Sequence, residues 1–421
     1  MLTGTAGLLA GCGARTGGSA DRGQLVRSAV GRAVPDPAAA TAAAGSLRAF
    51  TADLYRQVAT RDGNIGCSPY SVAVALAMAR NGARGRTAQE MDRVLHASGL
   101  PQLNDGLNAV EAALEERSGP VRRGDGSKAT IELRVANSLW GQRGVTWQPP
   151  FLDALARLYG TGLRVVDYQA DADGARVRIN AWTSDQTAGK IPHLLPEGML
   201  DELTRLVLVN ALYLKAPWEH PFEKENTAAG PFTPADGSTV TVPTMRTQLH
   251  AARYASGDGW TAAELPYAGG ALAMTLIRPD AGLPALENRL DGPGLARIDR
   301  ALAPVPELDL RIPKWTFRTT LRLDETLAAL GMPAAFDDRA ADFGGMTTDM
   351  PLHISAVQHE TYVAVDEAGT EAAAATAAVV SATSAGPVPV ELVLDRPFLF
   401  LIQDRATGTP LFLGRVADPS T

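Results

Sequence analysis

The segment Asp366-Glu367-Ala368-Gly369-Thr370-Glu371-Ala372-Ala373-Ala374-Ala375-Thr376 limits the fold more than any other part of the chain, because almost nothing in it has bulk. Ordinary cores do not leave so many consecutive positions this small, since each missing methylene forfeits roughly 0.8 kcal/mol of burial. If the segment is extended, Thr370, Ala372, Ala374, Thr376, Ala378, Val380 and Ala382 share one strand face. None of them is charged or large, so that face can enter a packed interior while Glu371, on the other face, stays in water. The segment reads either as a loop able to become a strand or as an Ala/Gly/Ser linker. The residues downstream tell against the linker. An apolar stretch resumes at Val388, runs through Val390, Leu392, Val393 and Leu394 into Pro397-Phe398-Leu399-Phe400-Leu401-Ile402, and leads on to Pro410-Leu411-Phe412-Leu413-Gly414-Arg415-Val416. These are predicted buried strands with a turn at Thr407-Gly408-Thr409.

Further motifs lie upstream. Asn64 leads into Ser68-Pro69-Tyr70-Ser71-Val72-Ala73-Val74-Ala75-Leu76-Ala77-Met78, ending at Gly82-Ala83. Asn180-Ala181-Trp182 and Val209-Asn210-Ala211-Leu212-Tyr213-Leu214-Lys215-Ala216-Pro217-Trp218 come next. Together with the small-residue hinge, Asp395-Arg396-Pro397-Phe398-Leu399-Phe400 and the final apolar strand, they resemble the serpins, a family of serine protease inhibitors. The resemblance covers roughly residues 47–419, with the motifs in family order. It implies a serpin fold with three β-sheets, about nine helices and an exposed reactive-centre loop.

The residues themselves give a compatible class. Leu47, Phe50, Leu54 and Val58 have helical spacing within residues 46–59. Ser68-Pro69 opens a second helix, serine as N-cap and proline in the first turn. Thr87-Ala88-Gln89-Glu90 has the form of a capping box opening another. Residues 131–140 alternate as a strand, and 147–159 return to helical spacing. Residues 204–214 form a continuous apolar run, suited to a strand covered on both faces. Residues 308–313 and 354–365 alternate again. Helices dominate the first half and strands the second without a βαβ repeat, so the class is α+β.

No Pro/Gly-rich break divides the chain after residue 46, so residues 46–421 are read as one domain. The formal net charge of −7 points away from nucleic acid, which usually needs a basic face. Arg122-Arg123 with Lys128 reads as a solvated loop. No run approaches the ~20 apolar residues of a spanning helix. Leu8-Leu9-Ala10-Gly11-Cys12 resembles a bacterial lipobox, although Met1 to Gly7 lacks the basic start and the apolar length of a signal. We read the start as set too late, Cys12 as a lipidation site, and the rest of residues 1–45 as a flexible tether outside the fold. That implies an extracellular or cell-surface chain whose only membrane contact is a lipid anchor at Cys12. The other cysteine, Cys67, is expected to be a buried free thiol, with no disulfide.

Catalytic signatures do not occur. There is no G-x-S-x-G, G-x-x-x-x-G-K-[ST], paired C-x-x-C or H-E-x-x-H, and His359-Glu360 is followed by Val363 where the last motif needs histidine. The six histidines are scattered, so no metal or other cofactor is expected and the chain is read as no enzyme.

The serpin resemblance implies a monomer that forms a covalent acyl complex with a target serine protease after its loop is cut. Family spacing places the reactive bond between Thr383 and Ser384, with Ser381 and Ala382 as nearby bait. No Lys or Arg occurs between Glu371 and Arg396, which favours an elastase-like or subtilisin-like target over a trypsin-like one. The hinge comprises Glu367, Gly369, Thr370, Glu371, Ala372, Ala373, Ala374, Ala375 and Thr376. By the same resemblance Ser68, Ser71, Asn210 and His359 form the shutter, a polar cluster where the sheet parts. Trp218 and Lys314 belong to the breach at its top, with Lys314 facing Glu367. The alternative is a non-inhibitory serpin acting as a binding or carrier protein.

Overall fold

The computed structural model describes residues 23–371 and 388–421. The described residues hold nine α-helices: α1 (Pro37–Val58), α2 (Pro69–Arg80), α3 (Gly85–Val94), α4 (Leu100–Glu115), α5 (Pro149–Tyr159), α6 (Ala172–Gln186), α7 (Leu283–Glu287), α8 (Gly292–Ala301) and α9 (Asp324–Leu330). Three sheets complete the α+β fold. The largest has eight strands: β1 (Gln24–Val26), β2 (Gly119–Arg122), β3 (Lys128–Gln142), β4 (Leu163–Val166), β5 (Leu206–Pro217), β6 (Trp315–Arg322), β7 (Ala356–Val365) and β8 (Gly369–Thr370). Their order is β1-β4-β3-β5-β8-β7-β6, with β2 hairpinned onto β3.

A seven-stranded sheet carries the Phe398–Asp404 and Thr409–Val416 strands side by side in its interior, and a four-stranded sheet contains Glu307–Pro313 and Val390–Val393. Both closing strands are buried throughout, as their unbroken apolar runs predict. β5 is likewise buried from Leu206 to Leu214. Its even positions face the main core, and Val207, Val209 and Ala211 face a second cluster under α6.

α2 runs between β3, β5 and the Thr409–Val416 strand and is buried from Pro69 to Ala79. Its start is as predicted: the Ser68 hydroxyl accepts the Ser71 N–H, with proline in the first turn. Asn64, just upstream, fixes the end of the chain, its side-chain oxygen accepting the N–H groups of Ala417 and Asp418 at 2.7 and 2.9 Å. Cys67 has a free, buried thiol, and burial pushes its pKa up to about 12.

Three expectations need correction. The tether over residues 1–45 is folded wherever it is described. Asp36 caps α1 and Pro37 begins it, while Ala40 and Ala44 extend the buried stripe that holds Leu47. Ahead of it, β1 pairs with β4, and Arg32 binds Asn108, Glu111 and Glu115 on α4. Second, Thr87 does not cap α3, which begins at Gly85. Instead Thr87 accepts the Asp342 N–H and buried Glu90 accepts the Ala334 N–H, so tertiary donors replace the local ones. Third, Arg123 is buried. Its Nε donates to the Trp218 carbonyl at 2.8 Å, while Arg122 and Lys128 remain exposed. Cys12 lies outside the described residues.

Candidate functional site

β5 and β7 are parallel partners from Val207–Ala356 up to Leu212–Thr361. Above that rung they part, and β8 sits between them, antiparallel to both: Gly369 opposite Pro217, Thr370 opposite Ala216 and Val365. Among the described residues no ladder joins residues 213–215 of β5 to 362–364 of β7. The hinge therefore occupies the head of a gap in the large sheet.

Local chemistry makes the turn into β8. The Asp366 carboxylate accepts the N–H groups of Ala368 and Gly369 at 2.8 and 3.2 Å, and the Asp366 N–H donates to the Gly369 carbonyl at 3.0 Å. Gly369 has φ +153°, and a Cβ there would lie 2.3 Å from the Ala216 carbonyl oxygen, so a side chain does not fit. The carbonyls of Glu367 and Ala368 accept from the N–H groups of Phe222 and Trp218 at 2.8 and 2.9 Å.

Among the described hinge residues, the side chains of Glu367, Thr370 and Glu371 each have a partner. Glu367 bonds Lys314 Nζ at 2.9 Å and the Thr227 hydroxyl at 2.8 Å. Burial pushes its carboxyl pKa up, but these donors together hold it below the usual glutamate value. The Thr370 hydroxyl meets the Tyr267 phenol at 2.7 Å in a buried contact. Tyr267 stacks on Trp218, centroids 4.7 Å apart and planes at 6°, and the indole N–H donates to the Asp366 carbonyl at 3.0 Å. Burial raises the Tyr267 pKa and keeps the phenol neutral. Glu371 does not stay in water as expected. Its backbone has φ +50°, and its side chain, 15% exposed, pairs with Lys190.

The polar cluster lies lower on the same strands, at the rung where Asn210 faces His359. The Ser68 N–H donates to His359 Nε2 at 2.9 Å, so the proton sits on Nδ1 and is given to the Asn210 side-chain oxygen at 2.5 Å. Burial pushes the imidazole down to about 4, which leaves it neutral near pH 7. The Ser71 hydroxyl donates to Asn137 Oδ1 at 2.6 Å, and Asn137 stands opposite Asn210 in the β3–β5 register.

The structure thus brings Glu367, Gly369, Thr370, Trp218 and Lys314 to the top of one gap. Ser68, Ser71, Asn210 and His359 meet at the rung where its two lips still pair. Ala372, Ala373, Ala374, Ala375, Thr376, Ser381, Ala382, Thr383 and Ser384 lie outside the described residues. Sequence reasoning missed Tyr267, Asn137, Arg123 and Lys190. For Asn137 a signal existed, a carboxamide inside an alternating strand. Nothing local marks the other three.

An α+β fold of three sheets, with a hinge seated at the head of a gap in the largest, is the architecture that the comparisons place in a single family. The family model "Serpin (serine protease inhibitor)" matches residues 45–419. The human leukocyte elastase inhibitor is 34% identical over 384 residues, covering 88% of this chain and 97% of that protein. An uncharacterised serpin-like protein of Thermococcus kodakarensis is 36% identical over 383 residues, covering 89% and 85%. Among solved structures, the thermophilic serpin tengpin in its native state superposes with a TM-score of 0.80 at 25% identity, covering 95% of this chain and 98% of that one. Uncleaved ovalbumin gives 0.78 at 26%, covering 90% and 100%. The chain belongs to the serpin family, whose family description is serine protease inhibition.

Proposed function

We propose that this chain is a suicide inhibitor of serine proteases of the elastase or subtilisin type. The protease serine attacks the carbonyl of Thr383. The Thr383–Ser384 bond breaks, the Ser384 amine leaves with a proton from the protease, and an ester joins Thr383 to the enzyme. The freed segment then extends β8 downward between β5 and β7 and carries the protease with it. Displacement of the protease's oxyanion hole and catalytic groups stalls hydrolysis of the ester, because those parts tolerate little misplacement.

The observation that carries this reading is buried Thr370, seated at the head of the β5–β7 gap with only small, uncharged side chains from Ala372 to Ala378 beyond Glu371. The elastase preference is supported by Val379, Val380, Ser381, Ala382 and Thr383, none of them cationic, and by the similarity to the human leukocyte elastase inhibitor. The chain acts as a monomer in this reading. We place it outside the cell or at its surface on the strength of Leu8-Leu9-Ala10-Gly11-Cys12. A lipid mass on the Cys12 peptide tests that placement.

Incubation with elastase, subtilisin and trypsin is the decisive experiment. Denaturant-stable complexes are expected with the first two. Complexes with trypsin alone reverse the target class, and cleavage without any complex rejects inhibition.

A further inference from the structure

Glu371 is the sole charged side chain between Gly369 and Val390, and the described structure meets it with one cation, Lys190, beside the Tyr213 phenol. We propose that Lys190 is a positioning residue for strand insertion: its ammonium captures Glu371 on the α6 side of the large sheet and so sets the register in which the loop enters between β5 and β7. The proposal rests on the inhibitory reading above and names the group that guides its conformational step.

Lys190 stands on a fixed base. After α6, Ala188 and Gly189 take positive φ values of +52° and +76° and reverse the chain. The Thr187 hydroxyl donates to the Thr183 carbonyl at 2.8 Å and accepts the Ile191 N–H at 3.1 Å. Asn180 holds Leu195 in both directions, accepting its N–H at 2.8 Å and donating to its carbonyl at 2.9 Å. Ile191, Leu194 and Leu195 are buried in the cluster beneath α6. The ammonium is thereby delivered over the gap, 5.4 Å from the Tyr362 ring centroid on β7. Arg318 lies over the same ring at 5.4 Å but is already paired with Glu360, which leaves Lys190 to take the hinge carboxylate. The bond to Glu371 outweighs burial and raises the lysine pKa, so the ammonium is fully charged at neutral pH.

Strand alternation makes this contact a register device. Side chains point to opposite faces with a period of two, so a slip of one residue turns a whole strand over. Thr370 faces the body of the protein, against Tyr267, and Glu371 faces α6. Holding Glu371 there sends Ala372, Ala374 and Thr376 to the body face. The slipped register would drive the one carboxylate of the segment into the core. Insertion takes Glu371 from its φ of +50° to an extended conformation, and the lysine is placed to hold its carboxylate on the α6 face through that change.

The test compares Lys190→Glu, Glu371→Lys and the double charge swap with the parent chain, against elastase. Two quantities are read: inhibitor molecules consumed per protease trapped, and the rate of loop cleavage. Each single variant is expected to raise consumption several-fold at an unchanged cleavage rate, and the swap to restore most of the loss. Singles that match the parent, or a swap no better than the worse single, overturn the proposal. Melting of the uncut variants confirms that they fold. A parent chain that traps no protease overturns the inhibitory reading. Insertion is then read from the rise in melting temperature after loop nicking, which Lys190→Glu must diminish. An undiminished rise, or no rise in the parent, overturns the register role as well.

Discussion

The Thr370 hydroxyl and the Tyr267 phenol share a buried hydrogen bond of 2.7 Å, and through it the second residue of β8 is tied to an aromatic stack beneath. Thr370→Val and Tyr267→Phe each leave one hydroxyl buried without its partner, at a cost of about 1–2 kcal/mol. The double variant should cost less than the sum, since no orphan remains. Denaturant midpoints of the four proteins measure the coupling, and strict additivity would show that the contact contributes nothing.

Thr370→Arg probes the same position more severely. The site is 2% exposed and packed on Ala216 and Tyr267, so a guanidinium there is a buried, unpaired charge. The variant should be cut by elastase at the parent rate and released, so that far more inhibitor is consumed per protease trapped. Undiminished complex formation by this variant counts against insertion.

The Glu367–Lys314 pair should show itself in acid. The carboxyl of Glu367 titrates below its value in the unfolded chain, so the unfolded state takes up the proton first as pH falls. Its contribution is therefore present above the ordinary glutamate value of about 4.3 and is lost as pH falls through the folded value. With Lys314 38% exposed, the increment is small, ~0–1 kcal/mol. Lys314→Ala should lower stability at pH 6 by that amount and leave stability near pH 3 unchanged. An equal loss at both pH values would mean that the lysine acts by packing alone.

His359 acts in the neighbouring window. Burial pushes the folded imidazole down to about 4, whereas a free one titrates near 6.5. Between those values the unfolded chain binds a proton that the fold refuses, so stability declines as pH drops from about 6.5 to 4, by up to ~3 kcal/mol. His359→Gln removes the titration and should flatten that part of the melting-temperature profile, although it lowers stability at pH 7. A parent profile already flat between pH 6.5 and 4 would show that the folded imidazole takes up its proton as readily as a free one.

Much of the fold is readable from the residues alone. Ser68-Pro69 announces its helix because cap and first turn are local chemistry, and β5 announces itself because a strand covered on both faces has no polar side. The hinge is legible as a run of absent bulk. The partner of Glu371 is not, because alternation gives its face but not the lysine waiting there, which a reversed turn after α6 delivers from far along the chain. Tyr267 is invisible for the same reason. The tether over residues 38–44 is a different kind of miss. Alanine is the strongest helix former, and Asp36-Pro37 is a cap signature, yet a string of small residues reads equally as a linker. Their meaning depends on neighbours: beyond Ala40 and Ala44 the apolar stripe continues into Leu47, whereas after Gly369 no bulk arrives for many residues.

The two closing strands have a further consequence. The Phe398–Asp404 and Thr409–Val416 strands lie inside the seven-stranded sheet, and the N–H groups just beyond them are fastened to Asn64. A protease that severs the backbone between residues 372 and 387 therefore yields two polypeptides but a single particle. The shorter piece is as firmly lodged as a keystone, and only a solvent that dismantles the whole body will let it go.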